Sequence, residues 1–346
     1  MWRRHFLAST MASMAQAVGQ GPSSSVRLGI DLFSIRDSGW SPFEYLDYCS
    51  KQGARVVHFS EIRFLGNLEE AHLKKVRDAA AERGISVEIG MRSLCPSSSE
   101  FDAKRGTVEQ QLTEMFRAAR IVGSPIVRAF LGTYRDRTTP GGIQKHIENT
   151  IAALRPLRSR ALDMNVRIAI ENHAGDMQAH ELKTLVEETG RDFVGVCIDS
   201  GNPLWALEDP HLTLETLHPY VLTSHIRDTA IWRTKEAVAV QWVRMGEGNV
   251  GISEYLKRFV ELCPGKPVSL EIITTGPREF RVFDPNFWPP YRSARAWEFS
   301  RFLALAEKGT PRPAPASVAR EQVAVGQRED LEASLRWTKN FFGMNP

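Results

Sequence analysis

Cysteine is sparse and unpatterned in this chain. Cys49, Cys95, Cys197 and Cys263 are scattered over 346 residues with no C-x-x-C spacing, which argues against a disulfide framework or a thiolate zinc site. Cys197 falls in an apolar run and Cys49 in a helical pattern, so both are expected to serve packing. No apolar stretch is long enough to span a bilayer as a stable helix. No Gly-x-Gly-x-x-Gly follows the first candidate strand, which disfavours an open dinucleotide-binding sheet. Charge of one sign is also missing: the formal +3 falls to +1 without Arg3 and Arg4, giving no electrostatic reason to expect nucleic acid or an anionic membrane. What is present, 42% hydrophobic and 25% charged residues, suits a globular enzyme-sized chain with one large core.

Residues 1–25 are expected to be an address rather than structure. Arg3-Arg4-His5-Phe6-Leu7 has the form of a twin-arginine export signal, a weakly apolar stretch runs to Met14, and Ala15-Gln16-Ala17 offers a small-x-small cleavage site before a Gly/Ser linker. This implies export to a bacterial periplasm in a folded, metal-loaded state; a frayed basic tail on a cytoplasmic protein is the alternative.

From residue 26 the pattern alternates. Short β-branched runs are expected as strands at 26–33, 56–59, 85–89, 126–131, 166–171, 193–199, 220–225 and 267–271. Helical periodicity is expected at 41–52, 68–83, 108–122, 144–162, 181–189, 212–217, 253–262 and 294–306. Ser41-Pro42 starts the first helix, and Gly53, Gly84 and Gly190 stop three of them. Eight strand–helix alternations with short connections argue for an α/β fold of the closed (β/α)8 type over residues 26–309. Two segments stand outside the repeat. One is an insertion at 229–251, read as a lid or subunit contact; the other, 310–346, is a Pro-rich spacer and a C-terminal helical extension read as packing under the barrel or on a partner.

The chemistry gathers at strand ends. Val166-Arg-Ile-Ala-Ile-Glu171, Phe193-Val-Gly-Val-Cys-Ile-Asp199, Tyr220-Val-Leu-Thr-Ser-His225 and Pro267-Val-Ser-Leu-Glu271 each close an apolar run with a metal-ligating side chain. In a (β/α)8 barrel such residues meet at the C-terminal rim. Any one of them alone reads as an ordinary rim residue. All four in consecutive strands read as ligands of one divalent cation, because a buried carboxylate needs a partner and this oxygen-rich set suits Mn²⁺, Mg²⁺, Co²⁺ or Zn²⁺. Asp228, three residues beyond His225, is expected to fix its tautomer, and Asn172 and Asn202 to supply neutral hydrogen bonds.

Ile170-Glu171-Asn172, Cys197-Ile198-Asp199-Ser-Gly-Asn202, Ser224-His225-Ile-Arg227-Asp228, Gly246-Glu247-Gly248 and Leu270-Glu271 together resemble the xylose isomerase-like TIM barrel superfamily, and within it the sugar phosphate isomerase/epimerase branch. The resemblance spans residues 26–309. It implies one bound ion, Mn²⁺ foremost, a small carbohydrate substrate, and isomerisation or epimerisation of a keto-sugar or related polyol through a metal-stabilised enediolate. It also implies that Glu171 and Glu271 are both ligands and the acid–base pair, with Asp199 and His225 as pure ligands.

The chain departs from the ketose 3-epimerases of that branch in two places. Those enzymes carry His three residues after the Asp ligand and Arg six after the His ligand, where this chain has Asn202 and Ile231. The same metal chemistry serves superfamily members that decarboxylate 3-oxo sugar acids or cleave oxidised sugars, so a lyase is the alternative. A trinuclear zinc endonuclease would need more rim histidines. His58, Arg92, His173, Asn202, Arg227 and Trp232 are the expected substrate contacts, with packing or rim ion pairs as the plain alternative for each. Glu61, Arg128 and Trp205 are further rim candidates, Glu247 is expected to support a ligand, and Ile272–Gly276 is a weak phosphate loop. Subunit number stays open, a homo-oligomer included.

Overall fold

A computed structural model describes residues 26–316 and 319–344. The export-signal expectation for 1–25 lies outside the described residues. Among those described, no helix is long and apolar enough to cross a membrane.

The strands of the centre are β1 (Leu28–Asp31), β2 (Val56–Phe59), β3 (Ser86–Ser93), β4 (Ile126–Phe130), β5 (Arg167–Glu171), β6 (Val194–Asp199) and β7 (Val221–His225). A hairpin, β8 (Asp228–Arg233) with β9 (Val238–Val243), intervenes before β10 (Val268–Leu270) completes the set. The order is β10-β1-β2-β3-β4-β5-β6-β7, parallel throughout. The ring closes between β7 and β10, where Ile226 N donates to Ser269 O (2.7 Å) and Glu271 N donates to Ile226 O (3.0 Å). This is the (β/α)8 TIM barrel that the alternation predicts.

Local chemistry explains the elements. β2 and β6 are buried at every residue, as parallel strands covered on both faces must be, so their sequences run apolar instead of alternating. The helix Pro42–Lys51 starts with a reciprocal capping box between Ser41 and Glu44 and with Pro at its first position. Thr107 and Gln110 form the same box for Val108–Val122, which Gly123 ends in the left-handed region.

The eighth helix is not the expected one. Helix Ala296–Glu307 lies on a separate apolar cluster above the rim, where Phe302 and Ala306 pack with Leu204, Ile231, Val240 and Phe280. Its floor is a three-stranded antiparallel sheet of order β11-β9-β8, completed by β11 (Arg278–Phe280). The place beside β10 and the first helix belongs to Val323–Phe341, whose Leu331 and Leu335 are part of the main core. Tyr48 donates to Glu332 (3.0 Å) from the first helix, Met245 N donates to Ser334 (3.2 Å), and Arg244 lies 2.6 Å from Asp330. The C-terminal helix is therefore built into the outer ring, between the strand-eight side and the first helix, and does not sit beneath the barrel. Gly246 permits the docking: at φ 84°, a Cβ there would stand 2.1 Å from Trp337 Nε1. All four cysteines are free and buried.

Candidate metal centre and substrate cavity

Four neighbouring strands deliver one side chain each to the C-terminal rim. Glu171, Asp199 and His225 are the last residues of β5, β6 and β7, and Glu271 follows β10. In the parallel register Asp199 pairs with His225, and Glu171 pairs with Cys197, two residues before Asp199. One ligand atom from each of the four lies within 4.8 Å of the others, and all four residues are buried.

The protein's own charges hold this cluster together. Arg128 Nε donates to Glu171 Oε2 (2.6 Å) and Asn202 Nδ2 donates to Glu171 Oε1 (3.1 Å). Burial alone would raise the Glu171 carboxyl, but Arg128 and His225 hold it well below the usual range. Asp199 goes the other way: burial raises it, against the lowering pull of Arg227. Asn172 brackets the Asp199 backbone, accepting from its N–H (2.8 Å) and donating to its carbonyl (2.9 Å). Arg227 Nη2 donates to Asp199 Oδ2 (2.6 Å) and contacts Glu271 Oε2, with its guanidinium 4.5 Å from the Trp242 ring centre.

His225 is the pivot. Its Nδ1 lies 2.9 Å from Glu171 Oε2 and 3.4 Å from Glu271 Oε2, yet has no hydrogen-bond partner. Its Nε2 faces Asp31 Oδ2 at 2.9 Å and His58 Nδ1 at 3.2 Å. Burial opposes its charging, but Cys197, Glu171 and Asp31 raise its pKa well above the ordinary value. A buried imidazole nitrogen without a hydrogen-bond partner, among three carboxylates, is a donor set of one nitrogen and three oxygens. It fits a borderline-to-hard divalent cation. His58 rests below: Ser269 is 2.8 Å from its Nε2, and burial with His225 nearby lowers it to about 3.

A cavity of about 210 Å³ opens over the centre, and Arg92, His173, Asn202, Arg227 and Glu271 line it together with Arg128, Trp242 and Phe130. His173 is stacked on Phe130 at 3.9 Å, its Nδ1 2.7 Å from Gly132 O. Arg92 is a rim residue, paired with Glu100 at 2.5 Å.

Four expected site residues lie elsewhere. His58 does not line this cavity; it points into the barrel beneath His225, because β2 turns that side chain inward. Trp232 packs with Ala230, Ala239 and Val243 in the antiparallel sheet, and the tryptophan at the cavity is Trp242. Asp228 does not touch His225. Its carboxylate accepts from Gly246 N (3.0 Å), Gly248 N (2.9 Å) and Thr229 N (2.7 Å), so it shapes the glycine turn, and burial pushes it to about 6. Glu247 faces Arg312 at the surface (3.3 Å). The residue that sequence reasoning missed is Asp31, at the end of β1. Leu32 and Phe33 continue the apolar run past it in sequence, so the end of β1 at Asp31 gave no signal like the one that marked Asp199.

A closed parallel barrel with carboxylate and imidazole donors at successive strand ends is an enzyme-like architecture whose rim could hold a divalent cation. The chain belongs to the xylose isomerase-like TIM barrel family, whose model matches residues 46–291. Among curated proteins it is 24% identical over 188 residues to 3-oxo-isoapionate decarboxylase of Pectobacterium atrosepticum, covering 54% of this chain and 61% of that protein, less than two thirds of its length. Among solved structures it resembles D-psicose 3-epimerase determined in the presence of D-fructose, with a TM-score of 0.61, 14% identity, and coverage of 92% of this chain and 100% of that one. It also resembles the IolI protein with a bound zinc atom, with a TM-score of 0.55, 15% identity, and coverage of 83% and 100%. At these identities the structural likeness establishes the fold.

Proposed function

We propose that this protein is a divalent-metal-dependent isomerase or epimerase of a small carbohydrate, acting at the carbon next to a carbonyl group. The observation that carries the reading is the convergence of Glu171, Asp199, His225 and Glu271 beneath a cavity of about 210 Å³. These four residues would hold the cation, which would supply positive charge to a substrate carbonyl and so make the neighbouring C–H more acidic.

The rest is done by the chain. Glu271 lines the cavity and in this reading takes the proton from the substrate carbon. Glu171, backed by Arg128 and Asn202, is its acid–base partner and in this reading returns a proton to carbon from the other face; general acid–base work of this kind contributes about 10²–10⁴-fold. Arg227 lends a buried positive charge to the same cavity and lies against Trp242, whose ring presents an apolar wall to a sugar face.

A second reading, decarboxylation or cleavage of an oxo-sugar acid, is favoured by Arg227, a buried cation suited to a carboxylate, and by the similarity to the decarboxylase. One experiment tests both. Protein loaded with Mn²⁺, Co²⁺ or Zn²⁺ is incubated with keto-sugars and oxo-sugar acids in D₂O. Deuterium incorporation with no loss of carbon supports the isomerase, and release of CO₂ or of a cleaved fragment supports the lyase. Neither reaction across the panel, in protein shown to bind metal, would sink both.

A further inference from the structure

Among the described residues, one further cluster of metal-ligating side chains lies away from the main centre, two buried and one partly buried, on three elements remote in sequence. His180 is in the first turn of helix Ala179–Thr189, Glu208 follows the turn Asn202–Ala206, and Glu298 is in the first turn of helix Ala296–Glu307. One donor atom from each lies within 4.8 Å of the others. The Glu298 side chain is only 5% exposed; its Oε2 has no hydrogen-bond partner and points at His180 Nδ1, 3.7 Å away and equally without one.

Cations are short here. Glu298 Oε1 meets Arg295, a half-exposed side chain, at 3.1 Å. Arg137 is occupied by Glu181, and Arg301 by Asp209 and Glu215. Glu208, 2% exposed, receives only neutral donors: the Ala179 N–H (3.1 Å) and the Thr213 hydroxyl (2.5 Å). Those donors satisfy the helix start and leave carboxylate lone pairs for another ligand. Of the two buried acidic side chains, only Glu298 meets a guanidinium, and that one is half-exposed, while an imidazole nitrogen and a carboxylate oxygen face each other without a hydrogen bond. A cation between them would supply what both lack.

We propose that His180, Glu208 and Glu298 form a second divalent-cation site. Its one-nitrogen, two-oxygen donor set suits borderline ions such as Zn²⁺ or Co²⁺. The site is structural: Glu298 belongs to the helix over the antiparallel sheet, whereas His180 and Glu208 belong to the barrel, so the ion fastens the overlying unit to the rim.

The test uses the full chain, stripped with a chelator and titrated with Zn²⁺. Wild type is expected to bind two ions, and Glu298→Gln and Asp199→Asn one each. In Asp199→Asn, Zn²⁺ is expected to raise the melting temperature by several degrees, and the added Glu298→Gln change to abolish that rise. His180→Ala, at a partly exposed position, repeats the measurement should Glu298→Gln fold poorly. One ion in wild type that is lost in Asp199→Asn but kept in Glu298→Gln and His180→Ala overturns this site and leaves the main centre standing. One ion lost only in Glu298→Gln and His180→Ala supports this site and removes the metal from the proposed function.

Discussion

Asp31→Asn is the most informative single change at the main centre, because it alters one atom and leaves the volume unchanged. Asp31 Oδ1 accepts from Phe33 N (2.6 Å) and the Ser60 hydroxyl (2.7 Å), and the amide oxygen of asparagine keeps both bonds. The amide nitrogen then falls where Oδ2 stood, 2.9 Å from His225 Nε2. Two N–H groups cannot face each other there, so Nε2 becomes the acceptor and the ring proton moves to Nδ1. That nitrogen faces Glu171 and Glu271, and once protonated it cannot ligate a cation. Loss of such a partner weakens metal binding by about 10–100-fold, or about 1.4–2.7 kcal/mol. Calorimetric titration of stripped wild type and variant with Mn²⁺ or Co²⁺ measures this, with circular dichroism melts to confirm an intact fold. Affinity within twofold of wild type in a folded variant would refute the reasoning and point instead to His58, 3.2 Å from the same nitrogen, as the group that sets the tautomer.

Three further outcomes are expected. Leu335→Ala should lower unfolding free energy by about 2–5 kcal/mol in urea titration, because Leu335 is 1% exposed within the main core; a loss below about 1 kcal/mol would deny Val323–Phe341 its place in the ring. Trp242→Ala should raise KM for the substrate, whereas Trp232→Ala should lower the melting temperature and leave KM unchanged; the reverse pattern would return Trp232 to the cavity. Burial pushes Glu208 up to about 8, so the folded chain keeps a proton that the unfolded chain releases above the ordinary carboxylate range, and wild-type stability falls as pH rises toward 8. Glu208→Gln removes that dependence. With chelator present, its stability relative to wild type should therefore climb between pH 5 and 8, by up to about 1.4 kcal/mol per pH unit; a flat difference across that range would show that Glu208 titrates normally.

The barrel was legible in the sequence because a parallel strand covered on both faces must be apolar at consecutive positions, as in Val194–Asp199. Capping boxes at Ser41 and Thr107 marked helix starts from purely local chemistry. The convergence of Glu171, Asp199, His225 and Glu271 was legible for a related reason: each closes such a run, and strand ends in a closed ring bring last residues to one rim. Periodicity says which face of an element is apolar but not what covers it. Helices 296–307 and 323–341 have comparable apolar stripes, so only packing decided that Leu331 and Leu335 complete the ring while Phe302 joins the unit above the rim. In the same way, Trp232 and Trp242 occupy one hairpin, and its docking decided which ring meets the cavity. Proximity in sequence suggested Asp228 as the partner of His225; the closed ring instead brought Asp31, almost two hundred residues away, to the imidazole, since β1 lies one strand beyond β10 where the barrel shuts.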